Sequence, residues 1–417
     1  MSWLVPRGSL TPAQTQAVEF DLGAHRLILG PPGSGKTLVA LHRARELADR
    51  FRISPLHYRI FVYTKALKAY IRSAVDDLGL PDGCVLTFDQ WCLDFYRAKI
   101  GGGLPFTDSS PDFPAIRQEI RGYLRTGFGG GFHRNARKPL KFAMVDEGQD
   151  LDAAAYGILT ASAEHLTVFM DSKQQLYERG ADPREVLGAL GLGGSALTLP
   201  AAYRCTPYIV RMAAAFILDA AERDQFIEQN AQEGERQQPL VHIANDREEL
   251  TGHLIETLRS RVDRGERVGV LFPSRKILHE TGGKLLETGL AVEFPRSVGD
   301  DKPANRPAHD FTTNRPKLLA YPSAKGLTFD SVLLPFFNRQ RFRQDLSDEL
   351  LERWIFVAMT RATKWIYLSG LSPLLHEDRL LALEAEKQLT IQRGGKTGAT
   401  EPASQPSAEP PDLSDLF

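Results

Sequence analysis

The stretch Gly30-Pro-Pro-Gly-Ser-Gly-Lys-Thr37 decides how this chain reads. It fits G-x-x-x-x-G-K-[ST], follows a short apolar run at 25–30, and opens a segment over 36–50. In that segment Leu38, Val39, Leu41, Ala44, Leu47 and Ala48 recur at helical spacing. A strand, a glycine-rich loop and a helix in that order place main-chain N–H groups around phosphate oxygens. Gly30, Pro31, Pro32, Gly33, Ser34 and Gly35 are therefore read as a phosphate cradle. Lys36 is read as the contact to the terminal phosphates and Thr37 as a ligand to Mg²⁺.

Working outward, further short apolar runs at 59–63, 85–88, 140–145 and 166–170 alternate with helical or loop segments. Strands alternating with helices predict a parallel α/β sheet. The pattern restarts after residue 237, with runs at 241–244, 268–272, 317–321, 332–335 and 366–368. For 417 residues, two α/β halves are the simplest division. The first spans 10–199, with a small insertion at about 95–140, and the second spans 200–390. Residues 391–417 lack the apolar content of a core and are expected to be a disordered tail. Leu4-Val-Pro-Arg-Gly-Ser9 reads as a protease-cleavable linker, so residues 1–9 are given no functional weight. No internal sequence repeat is visible.

Lys and Arg total 51 against 52 Asp and Glu, so a uniformly basic, nucleic-acid-coating surface is excluded and any such site must be local. Three cysteines, Cys84, Cys92 and Cys205, form no CxxC pair and no disulfide framework. With no signal peptide or membrane-length apolar run read in the chain, the expected compartment is the cytoplasm.

A nucleotide site needs an acidic partner at the end of a neighbouring strand. Lys141-Phe-Ala-Met-Val-Asp-Glu147 supplies two carboxylates there. Asp146 suits the Mg²⁺ shell, and Glu147 suits orienting and deprotonating an attacking water.

Asp146-Glu-Gly-Gln-Asp150 resembles the DEAQD box of UvrD/Rep/PcrA-type superfamily 1 DNA helicases, and further boxes of that family follow in order. Leu10-Thr-Pro-Ala-Gln14 resembles the Q motif, Ile60-Phe-Val-Tyr-Thr-Lys-Ala-Leu67 the next box, and Thr87-Phe-Asp-Gln-Trp-Cys92 the TFHSxC box. Phe169-Met-Asp-Ser-Lys-Gln-Gln-Leu-Tyr177 resembles GDxxQSIY, and Ala202-Tyr-Arg204 resembles NYR. Ser323-Ala-Lys-Gly-Leu-Thr-Phe329 resembles SAKGLEF, and Val357-Ala-Met-Thr-Arg-Ala362 the last box.

The resemblance implies two RecA-like P-loop NTPase domains with ATP and Mg²⁺ in the cleft between them. It implies an adenine contact from Gln14, stacking by Tyr203, γ-phosphate contacts from Gln174 and Arg204, an arginine finger at Arg361 and a nucleotide contact at Gly326. Taken singly, Arg204 and Arg361 also fit surface ion pairs, and Tyr203 also fits a core position. The implied activity is ATP-dependent, 3′→5′ translocation on or unwinding of single-stranded DNA, with RNA left open. Tyr63, Thr64, Lys65, Trp91, Tyr177 and Arg179 are the implied strand contacts. The alternative is a nucleic-acid-stimulated ATPase that remodels protein–DNA complexes in repair or defence without unwinding alone.

Several positions depart from the family pattern. Leu38 stands where an Arg often follows the P-loop, Thr328 replaces the Glu of GLEF, Asp89 the His of TFHSxC, and Pro322 the His before SAKGLEF. After Tyr177 the chain reads Glu-Arg-Gly-Ala and lacks the usual stacking aromatic. Both accessory insertions are small. Substitute strand contacts are sought in the basic stretch 133–141 and in Arg339, Arg341 and Arg343, interleaved with Phe337 and Phe342; a solvated basic loop also fits. The chain closes on Asp412-Leu-Ser-Asp-Leu-Phe417, which resembles peptides that bind bacterial sliding clamps and, more loosely, the acidic Phe-ended tip of bacterial single-strand-binding proteins, so that a clamp or another replication partner is expected there, although an end with no partner fits it too.

Overall fold

The computed structural model describes residues 4–31, 33–107, 110–126, 138–171, 181–194, 196–200, 205–230, 237–295 and 309–394. The first half begins with β1 (Arg26–Leu29), β2 (Tyr58–Val62) and β3 (Val85–Thr87). After a short antiparallel pair, β4 (Phe106–Thr107) and β5 (Ser110–Pro111), come β6 (Leu140–Val145), β7 (Ala163–Met170) and β8 (Leu197–Thr198). The second half contains β9 (Leu240–Ala244), β10 (Val268–Phe272), β11 (Lys317–Ala320), β12 (Phe329–Leu334), β13 (Ala362–Leu371) and β14 (Thr390–Arg393).

Two six-stranded sheets result, ordered β3-β2-β6-β7-β1-β8 and β11-β10-β12-β13-β9-β14. Every pairing within them is parallel. Each half is an α/β layered unit, and together they have the architecture of two RecA-like domains. Burial on both faces explains why the central strands are runs such as Val268-Gly-Val-Leu-Phe272, buried at every position. Counted within its own sheet, each half has its strands in the order third, second, fourth, fifth, first, sixth. The two topologies therefore coincide where no sequence repeat is visible. Strand order depends on where apolar runs and helices alternate, and different residues satisfy the same alternation.

Some elements differ from the sequence expectation. The edge strands β8 and β14 were not expected, because a two-residue strand and Thr390-Ile-Gln-Arg393 carry too few apolar residues to signal one. Since β14 pairs with β9, regular structure continues past 391, where the tail was expected to begin. The described part of the expected insertion is only partly an appendage: β4 and β5 lie largely exposed outside the two large sheets. Its helix Phe113–Thr126 buries Ile116 and Ile120 completely in the first half's core. The N-terminal segment also packs on the domain. His42 Nε2 lies 2.9 Å from the Val5 carbonyl, and Arg7 pairs with Glu46 and with Glu19. Among the described residues, no helix is long and apolar enough to cross a membrane.

Candidate nucleotide site

The sheet order places β6, β7 and β1 side by side, so their C-terminal ends converge on one spot. Ligands of open parallel sheets bind at such ends. Beyond β1 runs the loop from Gly30, and Gly35, at φ 83°, turns the chain into the helix Lys36–Arg50. A side chain at 30 would run into Ser34, so only glycine allows the loop to close this tightly. Lys36 Nζ donates to the carbonyls of Gly30 at 2.7 Å and Pro31 at 3.0 Å, and lies 3.7 Å from Asp171 Oδ2 beyond β7. Thr37 Oγ1 donates to Asp146 Oδ2 at 2.6 Å.

Asp146 and Glu147 follow β6 and are both buried. Glu147 takes the left-handed conformation at φ 56°, which is uncommon for a residue with a side chain. Its amide donates to Asp146 Oδ1 at 3.1 Å, and Gln149 Nε2 donates to Glu147 Oε2 at 2.7 Å. Gln149 Oε1 in turn accepts from the Asp171 amide at 3.0 Å, tying β6 to β7. Burial, and then the neighbouring Glu147, push the Asp146 carboxyl above the usual carboxylate range. Burial also opposes ionisation of Glu147, but Lys325, Lys36 and Arg361 outweigh it and hold Glu147 low.

Two of those cations differ in origin from Lys36, because they belong to the second half. Lys325 Nζ donates to Asp150 Oδ2 at 2.7 Å and stands 3.5 Å from Glu147 Oε2, with the Lys325 side chain 1% exposed. Arg361 is buried, its guanidinium donating to the carbonyl of Val357 at 2.9 Å and to Thr360 Oγ1 at 3.1 Å. It lines a cleft together with Gly33 of the loop and with Cys205, Thr328 and Thr360.

Of the residues singled out in the sequence, Gly30, Pro31, Gly33, Ser34, Gly35, Lys36, Thr37, Asp146, Glu147 and Arg361 come together here. Gln14 joins them by donating from Nε2 to the Ser34 carbonyl at 3.0 Å. Gly326 lies against the first half, where a Cβ would fall 2.8 Å from Leu67 Cδ2. Pro32, Gln174, Tyr177, Arg179, Tyr203, Arg204 and the closing peptide Asp412–Phe417 lie outside the described residues. The residues that sequence reading left without a role are Gln149, Asp150, Asp171 and Lys325. All four sit inside the quoted boxes, so the signal was present, but the pairing needs the fold: Lys325 and Asp150 are 175 residues apart.

Of the expected strand contacts, Trp91 and the pair Phe337 and Phe342 are not placed to stack on a base. Trp91 is buried among Phe61, Phe88 and Phe95, because the helix Phe88–Phe95 turns its aromatic face into the core. Phe337 and Phe342 are likewise buried, edge-on to each other, and offer no stacking face. Arg339 donates to the carbonyls of Arg343 and Leu346, and Arg343 pairs with Asp345. Of the basic stretch 133–141, residues 133–137 lie outside the described residues, while Lys138 donates to the carbonyls of Thr160 and Ala163, and Lys141 pairs with Glu164. Asp89 is bound by Arg117, which also reaches Asp152. Tyr63 and Thr64 are half-buried and Lys65 is exposed, all beyond the C-terminal end of β2.

The residues present fit Mg²⁺. Thr37 Oγ1 and Asp146 Oδ2 are hard oxygen donors at one point, and this ion needs only one or two carboxylates besides phosphate and water. Ser34 Oγ is buried with no hydrogen-bond partner among the described residues, inside the cradle.

No protein-family model matches the chain, and no curated protein matches it. Among solved structures, the C-terminal domain of a possible DNA helicase from Lactobacillus plantarum WCFS1 is similar to this chain at 16% identity and a TM-score of 0.33. The similarity covers 46% of this chain and 99% of that one.

Proposed function

We propose that the chain is an ATP hydrolase of the translocase or helicase type. It couples turnover between its two α/β halves to 3′→5′ movement along single-stranded DNA. The observation that carries this reading is that Glu147 faces charge from both halves: Lys36 from its own, Lys325 and Arg361 from the other. A general base built this way senses whether the halves are together.

In this reading Lys36 leaves its loop carbonyls to hold the terminal phosphates, and Thr37 with Asp146 holds the Mg²⁺. Bound Mg²⁺ supplies charge neutralisation at the phosphate oxygens. Glu147, kept ionised by its cationic neighbours and aimed by Gln149, takes the proton of the attacking water. Arg361 meets the charge that develops on the transferred group. Nucleic acid gripped by both halves would be moved as hydrolysis separates and rejoins them.

The test is the ATPase rate of the full chain with and without single-stranded DNA, single-stranded RNA and duplex. Stimulation by single strands is expected. Stimulation by none of the three overturns the motor reading, and stimulation without movement along the strand leaves a remodelling ATPase in its place.

A further inference from the structure

Arg43 lies two turns into the helix that starts at the phosphate loop and is fully buried. Its Nε donates to Thr167 Oγ1 on β7 at 2.9 Å. Its Nη1 donates to the carbonyls of Ala17, Val18 and Phe20 at 3.4, 3.1 and 2.5 Å. Its Nη2 reaches the Asp21 carbonyl at 3.2 Å and His165 Nε2 at 3.1 Å. Those four carbonyls close the C-terminal end of the helix Pro12–Glu19, where backbone acceptors lack helical partners and a cation is favoured by the dipole. The planar fork is suited to this task, since one group serves several acceptors at fixed angles.

The other end of the same helix touches the phosphate loop. Thr11 and Gln14 form a capping box, and Gln14 Nε2 donates to the Ser34 carbonyl. Gly35 admits this contact only because it has no side chain: a Cβ there would lie 2.5 Å from Gln14 Nε2. A helix of eight residues thus acts as a bar with Arg43 at one end and the loop at the other. Arg43 also sits on the helix that carries Lys36 and Thr37, so both sides of the loop are referenced to one buried group.

We propose that Arg43 is a positioning residue for nucleotide binding, setting the phosphate loop through Gln14. This rests on the ATP-binding reading above. The experiment is a double-mutant cycle on the full chain, with binding read by titration of a fluorescent ATP analogue and turnover by steady-state kinetics. Arg43→Lys should raise the nucleotide Kd and KM about tenfold while kcat stays within about twofold. Gln14→Ala should do the same, and the double variant should bind no more weakly than Gln14→Ala alone, because both act along one path. Thr167→Val, which removes a single bond of the fork, should show a smaller rise in the same direction, and it keeps the test available if Arg43→Lys does not fold. Additive effects, or a lower melting temperature with unchanged nucleotide affinity, would overturn the proposal. Wild-type binding without stimulated hydrolysis sinks the motor reading and leaves this inference standing; wild type that binds no ATP sinks both.

Discussion

In the proposed reading, Glu147 concentrates the chemistry of the site in one strained residue. A side chain in the left-handed region costs about 1–2 kcal/mol, and here Gln149, Asp150 and the Asp146 carboxylate hold it in place. Glu147→Gln keeps the shape and removes the base, so ATP should still bind while turnover falls at least about 100-fold; near wild-type hydrolysis would refute its role. Lys36→Ala should instead weaken binding, since it removes a phosphate contact. Arg361→Ala should lower kcat with little change in nucleotide affinity, because its contact is strongest in the transition state. Steady-state kinetics with a parallel binding titration separates the three. At this scale the carboxylate pair and the lysine were legible, because strand ends and glycine loops announce themselves locally. Lys325 was not, because nothing in a run of residues says which distant carboxylate an ammonium will meet.

At the scale of elements, apolar runs foretold ten of the strands and missed the short, largely unburied ones: β4, β5, β8 and β14. The segment after β12 shows why composition misled. Its alternating Phe and Arg read as a stacking platform, yet alternation also describes a chain lying on a core with Phe337 and Phe342 inward. The triple Ala variant of Arg339, Arg341 and Arg343 should therefore flatten the salt dependence of strand binding by no more than about one unit. A flattening near three units would show that all three reach phosphate. Strand β7 offers a second test. Burial, and then Arg43, depress His165 from 6.5 to about 3, so the folded chain keeps it neutral where the unfolded chain takes a proton. The stability this supplies is complete above pH 6.5 and is lost as pH falls toward 3. At pH 5 the loss amounts to about 2 kcal/mol. Thermal unfolding of wild type and His165→Gln at pH 7 and pH 5 should show a smaller acid loss in the variant; equal losses would rule this assignment out.

For the whole molecule, the contacts between halves bear on what kind of motor the proposed reading allows. Lys325 closes on Asp150 and Glu147, Gly326 packs on Leu67, and Phe311 meets Tyr70 edge-on at 5.3 Å. The helix Lys65–Val75 that carries Leu67 and Tyr70 starts at Lys65, directly after Tyr63 and Thr64, which follow β2. A change in how the halves meet is therefore felt at the segment expected to touch the strand. Beside its helix, the first insertion sets out a two-residue strand pair, β4–β5, with Phe106 exposed. The helix of the first insertion is absorbed into the core, and the chain at 309–316 lies between the halves at Phe311. The aromatic after Tyr177 is missing, and stacking is worth about 1–3 kcal/mol per base. Moving along a single strand needs alternating grips, whereas opening a duplex also needs a surface that holds the strands apart. The full chain alone should consequently displace a bound protein from single-stranded DNA in an ATP-dependent manner while separating a long duplex poorly. Both assays use the same protein and nucleotide, so efficient separation of the long duplex would show that the chain does carry a wedge and that this division of labour is wrong.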